Sequence, residues 1–195
     1  MSSTRKHNNS AYPFLLTLLS AIAFWASFQL VLERIHLYEN PNYKASCDLN
    51  PFFSCTSVME TAQAKLFGFP NPILGIIGFA ITGTIGMMLL TRMRINKLFA
   101  YGLLLGTLFA FGLSIFFWYA VIFQIHHFCL YCMVVWACTI PIFILTISYL
   151  NEQGFLGSTS GALANFKKWN WPVIILLYLV IYGGIWLAYL KLSAV

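Results

Sequence analysis

The feature that most constrains this chain is where its charges are missing. Asp, Glu, Lys and Arg are absent from residues 7–32, 66–91, 98–151 and 169–190. A membrane-spanning helix needs about 20 apolar residues, so three of these stretches suit one span each. The stretch 98–151 is too long for one span, and its polar spot at 124–127 divides it in two. Five transmembrane helices are therefore predicted, in an all-α polytopic membrane protein. The composition requires the same class: 60% hydrophobic, 8% charged and a mean hydropathy of +0.79 do not suit an ordinary soluble domain. Arg5, Lys6 and Ala21-Ile22-Ala23 imitate a signal peptide. The apolar run continues to Leu32, though, well past the roughly 7–15 residues of a signal core. The first helix is expected to be retained, over about 12–32 with an extension towards Tyr38.

The basic residues predict an orientation. With the N-terminus inside, Arg5, Lys6, Arg92, Arg94, Lys97, Lys167 and Lys168 are cytoplasmic, against the single acid Glu152. The opposite side holds Arg34, Lys44, Lys65 and Lys191, balanced by Glu33, Glu39, Asp48 and Glu60. That asymmetry is the positive-inside pattern. The net charge of +6 thus reads as a topology signal. The basic residues form no stripe, so nucleic acid is not an expected partner, whereas membrane lipid is. No charge falls inside a predicted span, which argues against an ion or solute transporter.

Four of the five cysteines then lie at the outer face, in two pairs. Cys129 and Cys132 open the fourth predicted helix in His126-His127-Phe128-Cys129-Leu130-Tyr131-Cys132. Spacing of three residues puts both sulfurs on one helix face, close enough for a disulfide after modest adjustment. The unpaired N–H groups and positive dipole end of the first turn suit a thiolate. Zinc needs two further ligands, and adjacent histidines do not readily supply both from one helix, so redox chemistry ranks above metal binding. The second pair is Cys47 and Cys55, eight residues apart around the turn signal Asn50-Pro51. That spacing closes a disulfide or leaves it open, and alone it would suit a structural staple. Disulfide chemistry belongs to the extracytoplasmic compartment.

Further signals fill in the frame. Ser57-Val58-Met59-Glu60 reads as a capping box, with Ser57 at N-cap. The short helix it opens, to about Phe67 before Gly68 and Pro70, is predicted to lie over the membrane as a lid. Asn71-Pro72 opens the second span, Asn71 as N-cap and Pro72 as first helical residue. Asn71 is also placed to donate to a ligand carbonyl. Gly75, Gly78, Gly83 and Gly86 let neighbouring helices approach this span. Phe116, Phe117, Trp118 and Tyr119, near the outer end of the third span, read as interfacial anchors, or in part as the wall of a pocket for a flat ring. Trp136 lies four residues beyond Cys132 and shares its face, Cys138 lies deep and off that face, and Pro141 is a potential kink. A polar linker at 151–168 leads to the fifth span, with Trp169 and Trp171 as anchors.

Together, the C-x7-C loop followed by Thr56 and Ser57, the Asn-x-x-x-Gly of Asn71 and Gly75, and the C-x-Y-C of 129–132 resemble the vitamin K epoxide reductase family over about 12–150. The resemblance implies a four-helix transmembrane bundle around a quinone, either menaquinone or ubiquinone, at the extracytoplasmic edge of the inner membrane. A lid helix lies in the first outer loop and the fifth helix is an addition. It also implies a relay. Cys132 reacts with the quinone, Cys129 exchanges with Cys55, and Cys47 exchanges with a thioredoxin-like (DsbA-like) partner. Asn71 hydrogen-bonds a quinone oxygen. Trp136 stands where animal members usually have a tyrosine. Many bacterial members carry a fused thioredoxin-like domain after the fifth helix; this chain runs only to Val195, so the partner is expected to be a separate protein and the chain a single membrane domain. The resulting expectation is a quinone-dependent thiol oxidoreductase that supports disulfide formation. Its rivals are an epoxide reductase proper, a DsbB-type oxidase (disfavoured because the order of its cysteine pairs is reversed) and a non-catalytic scaffold with one structural disulfide.

Overall fold

The computed structural model describes residues 11–40, 42–157 and 166–193. Arg5, Lys6 and the middle of the polar linker lie outside the described residues. Helix α1 spans Ala11–Glu39, α2 spans Cys55–Glu60, α3 spans Pro72–Leu90, α4 spans Lys97–Ala120, α5 spans Leu130–Glu152 and α6 spans Phe166–Ser193. A turn of 3-10 helix, Ala62–Lys65, follows α2, and a π-helical turn, Val121–Ile125, continues α4. Five of these helices are long and apolar enough to cross a membrane, as the charge-free stretches predict.

Helix α5 is the axis of the bundle. Half of its most apolar window is buried, against a third or less for every other span. It packs against α1, α4 and α6, while α3 packs chiefly on α1 and barely meets α4. Lipid tails are as apolar as leucine, so close backbone approach has to hold such helices together. At the α1–α3 contact a Cβ on Gly75 would collide with Ser27 Oγ, and one on Gly86 would stand 2.5 Å from Thr17 Oγ1 and 3.0 Å from its backbone N. Between them, Ser20 and Thr82 hydroxyls hydrogen-bond at 2.9 Å. Gly78, by contrast, faces open space. At the N-terminal end of α1, Tyr12 stacks on Tyr149 with centroids 4.3 Å apart, and its hydroxyl meets Thr146 Oγ1 at 3.0 Å.

Helix α6 is tied to α5 through a carbonyl that Pro141 leaves free. Proline has no N–H to donate to the carbonyl four residues back, here that of Ala137. Tyr178 Oη donates to that oxygen at 2.5 Å, and Tyr182 Oη donates to Met133 O at 2.7 Å. Helix α5 runs through Pro141 without interruption. Trp118, expected as an interfacial anchor, instead packs into α6: its indole N–H donates to Ile181 O at 2.9 Å, and its ring fills the space beside Gly184. Phe116 and Tyr119 do remain exposed.

Two expectations are corrected in the first long loop. The N-cap of α2 is Ser54, with extended backbone and its Oγ accepting from Ser57 N at 3.1 Å. Ser57 lies inside the helix, so no capping box forms on it and Cys55 becomes the first helical residue. The lid is also broken in two. Thr61 adopts an extended backbone, ends α2, and caps the 3-10 turn by accepting from Ala64 N at 3.3 Å. The expected extension of the first helix towards Tyr38 is present and carries Glu33 and Arg34. No helix breaker intervenes before Glu39, and both sit within α1 at 5% and 8% exposure.

Candidate active site

The end of the bundle that carries the two cysteine pairs is built by the turn into α5. The π-helical turn Val121–Ile125 ends at His126, whose left-handed backbone (φ 59°) reverses the chain while its N–H bonds Val121 O at 2.9 Å. Phe128 and Cys129 then run extended. Cys129 is the N-cap of α5, and its Sγ accepts from Cys132 N at 3.4 Å. The predicted pair is thus present, with Cys129 just outside the first turn and Cys132 within it. Both are free thiols, as is Cys138, which is buried in the α1–α3–α5 core.

The loop pair is brought to the same place by backbone pairing. Phe128 N donates to Phe52 O at 2.8 Å and Ser54 N donates to Phe128 O at 3.0 Å, a parallel bridge between Phe53 and Phe128. Their rings lie 5.6 Å apart, and His127 Nδ1 meets Pro51 O at 3.0 Å. One residue beyond this bridge on one side is Cys129, and two beyond on the other is Cys55. Both are fully buried, in a single cluster with Cys47, Leu30, Ala45 and Met59. Nothing in the sequence pattern announced the bridge, because a two-residue pairing has no periodicity to read.

Cys47 and Cys55 form a disulfide, with Cα atoms 5.8 Å apart. The expected turn is there: Asn50 Oδ1 accepts from Phe52 N at 2.9 Å and Phe53 N at 2.8 Å. A second tie runs beside the disulfide. The Asp48 carboxylate accepts from Thr56 Oγ1 at 2.6 Å and Thr56 N at 3.1 Å. Partial burial pushes the Asp48 pKa up, but these bonds, with Ser54 and the Cys55 backbone assisting, outweigh it and hold the group below its ordinary value.

Beneath the lid, α1, α3, α4 and α5 enclose a cavity of about 630 Å³ with largely apolar walls. Its volume falls in the range of small-molecule sites, roughly 300–1,000 Å³. Cys132 and the buried Trp136 line it, whereas Cys129 does not. Cys129 thus lies in the buried cluster that holds Cys55, while Cys132 packs against that cluster and also lines the cavity. Phe117 also lines the cavity, as one of the aromatic positions predicted to wall a pocket.

Asn71 lines the cavity but is not the expected cap. It precedes Pro72 but makes no capping bond, because its backbone is α-helical and aims the side chain at the lid. Its Nδ2 donates to Gln63 O at 2.6 Å, and its Oδ1 accepts from Leu66 N at 3.1 Å. One amide hydrogen remains for another acceptor. Three residues that sequence reasoning gave no role, Gln63, Gln124 and Arg34, complete the lid's attachment. Gln63 Nε2 donates to Gln124 Oε1 at 2.8 Å, and Arg34 Nη1 donates to Met59 O at 2.7 Å. The available signal for Arg34 was the unbroken helical run that carries it past Leu32.

Among the described residues no three His, Cys, Asp or Glu side chains gather as a metal site. Residues 14–147, from the first turn of α1 nearly to the end of α5, match the sequence model of the Vitamin K epoxide reductase family.

Proposed function

Since the chain belongs to the vitamin K epoxide reductase family, with thiol/disulfide oxidoreductase activity the chemistry this suggests, we propose that it carries electrons from a thioredoxin-like partner to a membrane quinone. The observation that carries this reading is the Phe53–Phe128 bridge, which sets Cys55 beside Cys129 while Cys132 lines an apolar cavity.

In the proposed relay one thiolate of the partner attacks Cys47 Sγ and releases Cys55, and the partner's second thiolate then displaces Cys47, so that the partner leaves as a disulfide and both loop cysteines are reduced. Cys55 thiolate then attacks Cys129 Sγ of an oxidised Cys129–Cys132 pair. The Cys55–Cys129 bond forms, the Cys129–Cys132 bond breaks, and Cys132 leaves as a thiolate. Cys47 next attacks Cys55 Sγ and releases Cys129. Each step is thiolate attack on a disulfide through a mixed intermediate. The arrangement with Cys47 bonded to Cys55 and both Cys129 and Cys132 free is the one that follows this transfer. The two electrons then rest on the pair nearest the cavity.

The donor set suits a quinone: apolar walls, a flat Trp136 indole, the remaining Asn71 amide hydrogen and a thiol at the wall. A bound menaquinone or ubiquinone would supply the two-electron, two-proton acceptor. Cys132 and Asn71 would face the ring, and Trp136 would pack on it and exclude water. The positive-inside pattern supports an inner-membrane protein with its N-terminus cytoplasmic and the lid end extracytoplasmic. We read 1–195 as one membrane domain, a four-helix core at 12–150 with α6 appended.

The test is a thiol count on the purified, reduced protein under anaerobic conditions, with defined quinones added. Loss of thiols matched by quinol formation is the expected result. A scaffold with one structural disulfide would keep the same count with every quinone.

A further inference from the structure

Glu33 is the one acidic side chain of α1 that is more than nine-tenths buried, and nothing in the relay above uses it. Its Oε1 accepts from Ser46 N at 3.1 Å and from Ser46 Oγ at short range. Its Oε2 is buried with no hydrogen-bond partner. Ser46 precedes Cys47, and its hydroxyl also meets Tyr131 Oη at 3.2 Å. Tyr131 lies between Cys129 and Cys132 and rests edge-on against Trp25 of α1, with centroids 5.9 Å apart. A chain of hydrogen bonds therefore runs from α1 through the residue before Cys47 to the turn that carries the inner pair.

We propose that Glu33 is a positioning residue that sets the partition of Cys55 between Cys47 and Cys129. This rests on the relay reading above. A buried carboxylate with a single satisfied oxygen is costly. The Ser46 donors offset that cost in the closed arrangement, and Tyr43 of the same arm also lies beside Glu33; if the Cys47 arm swung away, all of these contacts would be lost. The carboxylate thus opposes departure of the arm and keeps the Cys47 sulfur at high local concentration beside Cys55. The step it governs is an isomerisation. Cys129 thiolate attacks Cys55 Sγ, the Cys55–Cys129 bond forms, the Cys47–Cys55 bond breaks, and Cys47 takes up the proton that Cys129 released. No electron enters or leaves.

A Cys132→Ser protein isolates that equilibrium, because Cys47, Cys55 and Cys129 then share one disulfide. Proteolysis and mass spectrometry after acid quenching give the ratio of Cys55–Cys129 to Cys47–Cys55. In this background Glu33→Gln keeps the shape but replaces charge-assisted bonds with neutral ones, and the ratio should rise about fivefold, since charged hydrogen bonds are roughly twice as strong. Ser46→Ala should raise it in the same direction, and Ser46→Thr, which keeps the hydroxyl, should restore it. Should Glu33→Gln fail to fold, the Ser46 pair carries the test alone. If the Cys132→Ser parent never forms Cys55–Cys129, the relay itself is refuted. If the parent forms it and neither Glu33→Gln nor Ser46→Ala moves the ratio, the relay stands and the role of Glu33 does not.

Discussion

Residue by residue, the site depends on how short-range geometry divides four cysteines. Cys129 and Cys132 are three residues apart and meet at one buried cluster around Cys55, yet only Cys132 also lines the cavity. Asp48 and Thr56, each one residue past a loop cysteine, keep the two arms together beside the disulfide. Because the folded Asp48 pKa lies below the ordinary 3.8, this tie is fully present above that value and is lost as pH falls through the folded pKa. The Tm difference between the protein and Asp48→Asn should hold from about pH 7 to about pH 5 and shrink below about pH 4. A difference that instead changes near neutrality would assign the effect to another group. Asn71→Ala removes two bonds to the lid and should cost about 1–3 kcal/mol, read as a drop in Tm without quinone. If Tm is unchanged, Asn71 does not tie the lid. These two lid bonds were not legible in the sequence. Asn before Pro predicts a cap, and only the backbone angles of Asn71 show the side chain turned elsewhere.

At the scale of elements, the spans were legible and their contacts much less so. Charge-free runs fix the number of helices because a buried charge in lipid is expensive. They do not say which glycines are crowded. Gly86 and Gly78 look alike in the sequence, and only Gly86 has a neighbouring backbone where a Cβ would go. Gly86→Ala should destabilise the protein by about 1–3 kcal/mol, the usual cost of overpacking. Gly78→Ala should be neutral or stabilising by up to about 1 kcal/mol, through helix propensity. Thermal unfolding in one detergent compares the two; equal effects would mean that α1 and α3 are not in close contact at Gly86. The lid shows the same limit. Ser57 and Glu60 had the right spacing for a capping box, but Ser54, three residues earlier, takes the cap and makes Cys55 the first helical residue. The extension of α1 past Leu32 was legible, but the burial of Glu33 and Arg34 within it was not.

For the molecule as a whole, one end gathers everything the chemistry needs: the loop disulfide, the inner pair, the lid and the cavity. The cysteine spacing and the Asn-Pro signals pointed to that end. The bridge that joins the two halves of the site did not show, since it pairs residues 75 apart in sequence through backbone groups. The charge pattern predicts that this end is extracytoplasmic. In whole cells, a membrane-impermeant maleimide should label reduced Cys47 and should not label a cysteine introduced by Lys97→Cys; the opposite pattern would invert the topology. The measurement that bears most directly on the account is disulfide mapping of purified Cys47→Ser, followed by turnover with two reductants. The relay predicts a Cys55–Cys129 disulfide, no electron uptake from a thioredoxin-like partner, and partial turnover with dithiothreitol, which can attack Cys55–Cys129 directly. Full activity with the protein partner, together with a Cys129–Cys132 disulfide and a free Cys55, would contradict the account and return the loop pair to the role of a structural staple.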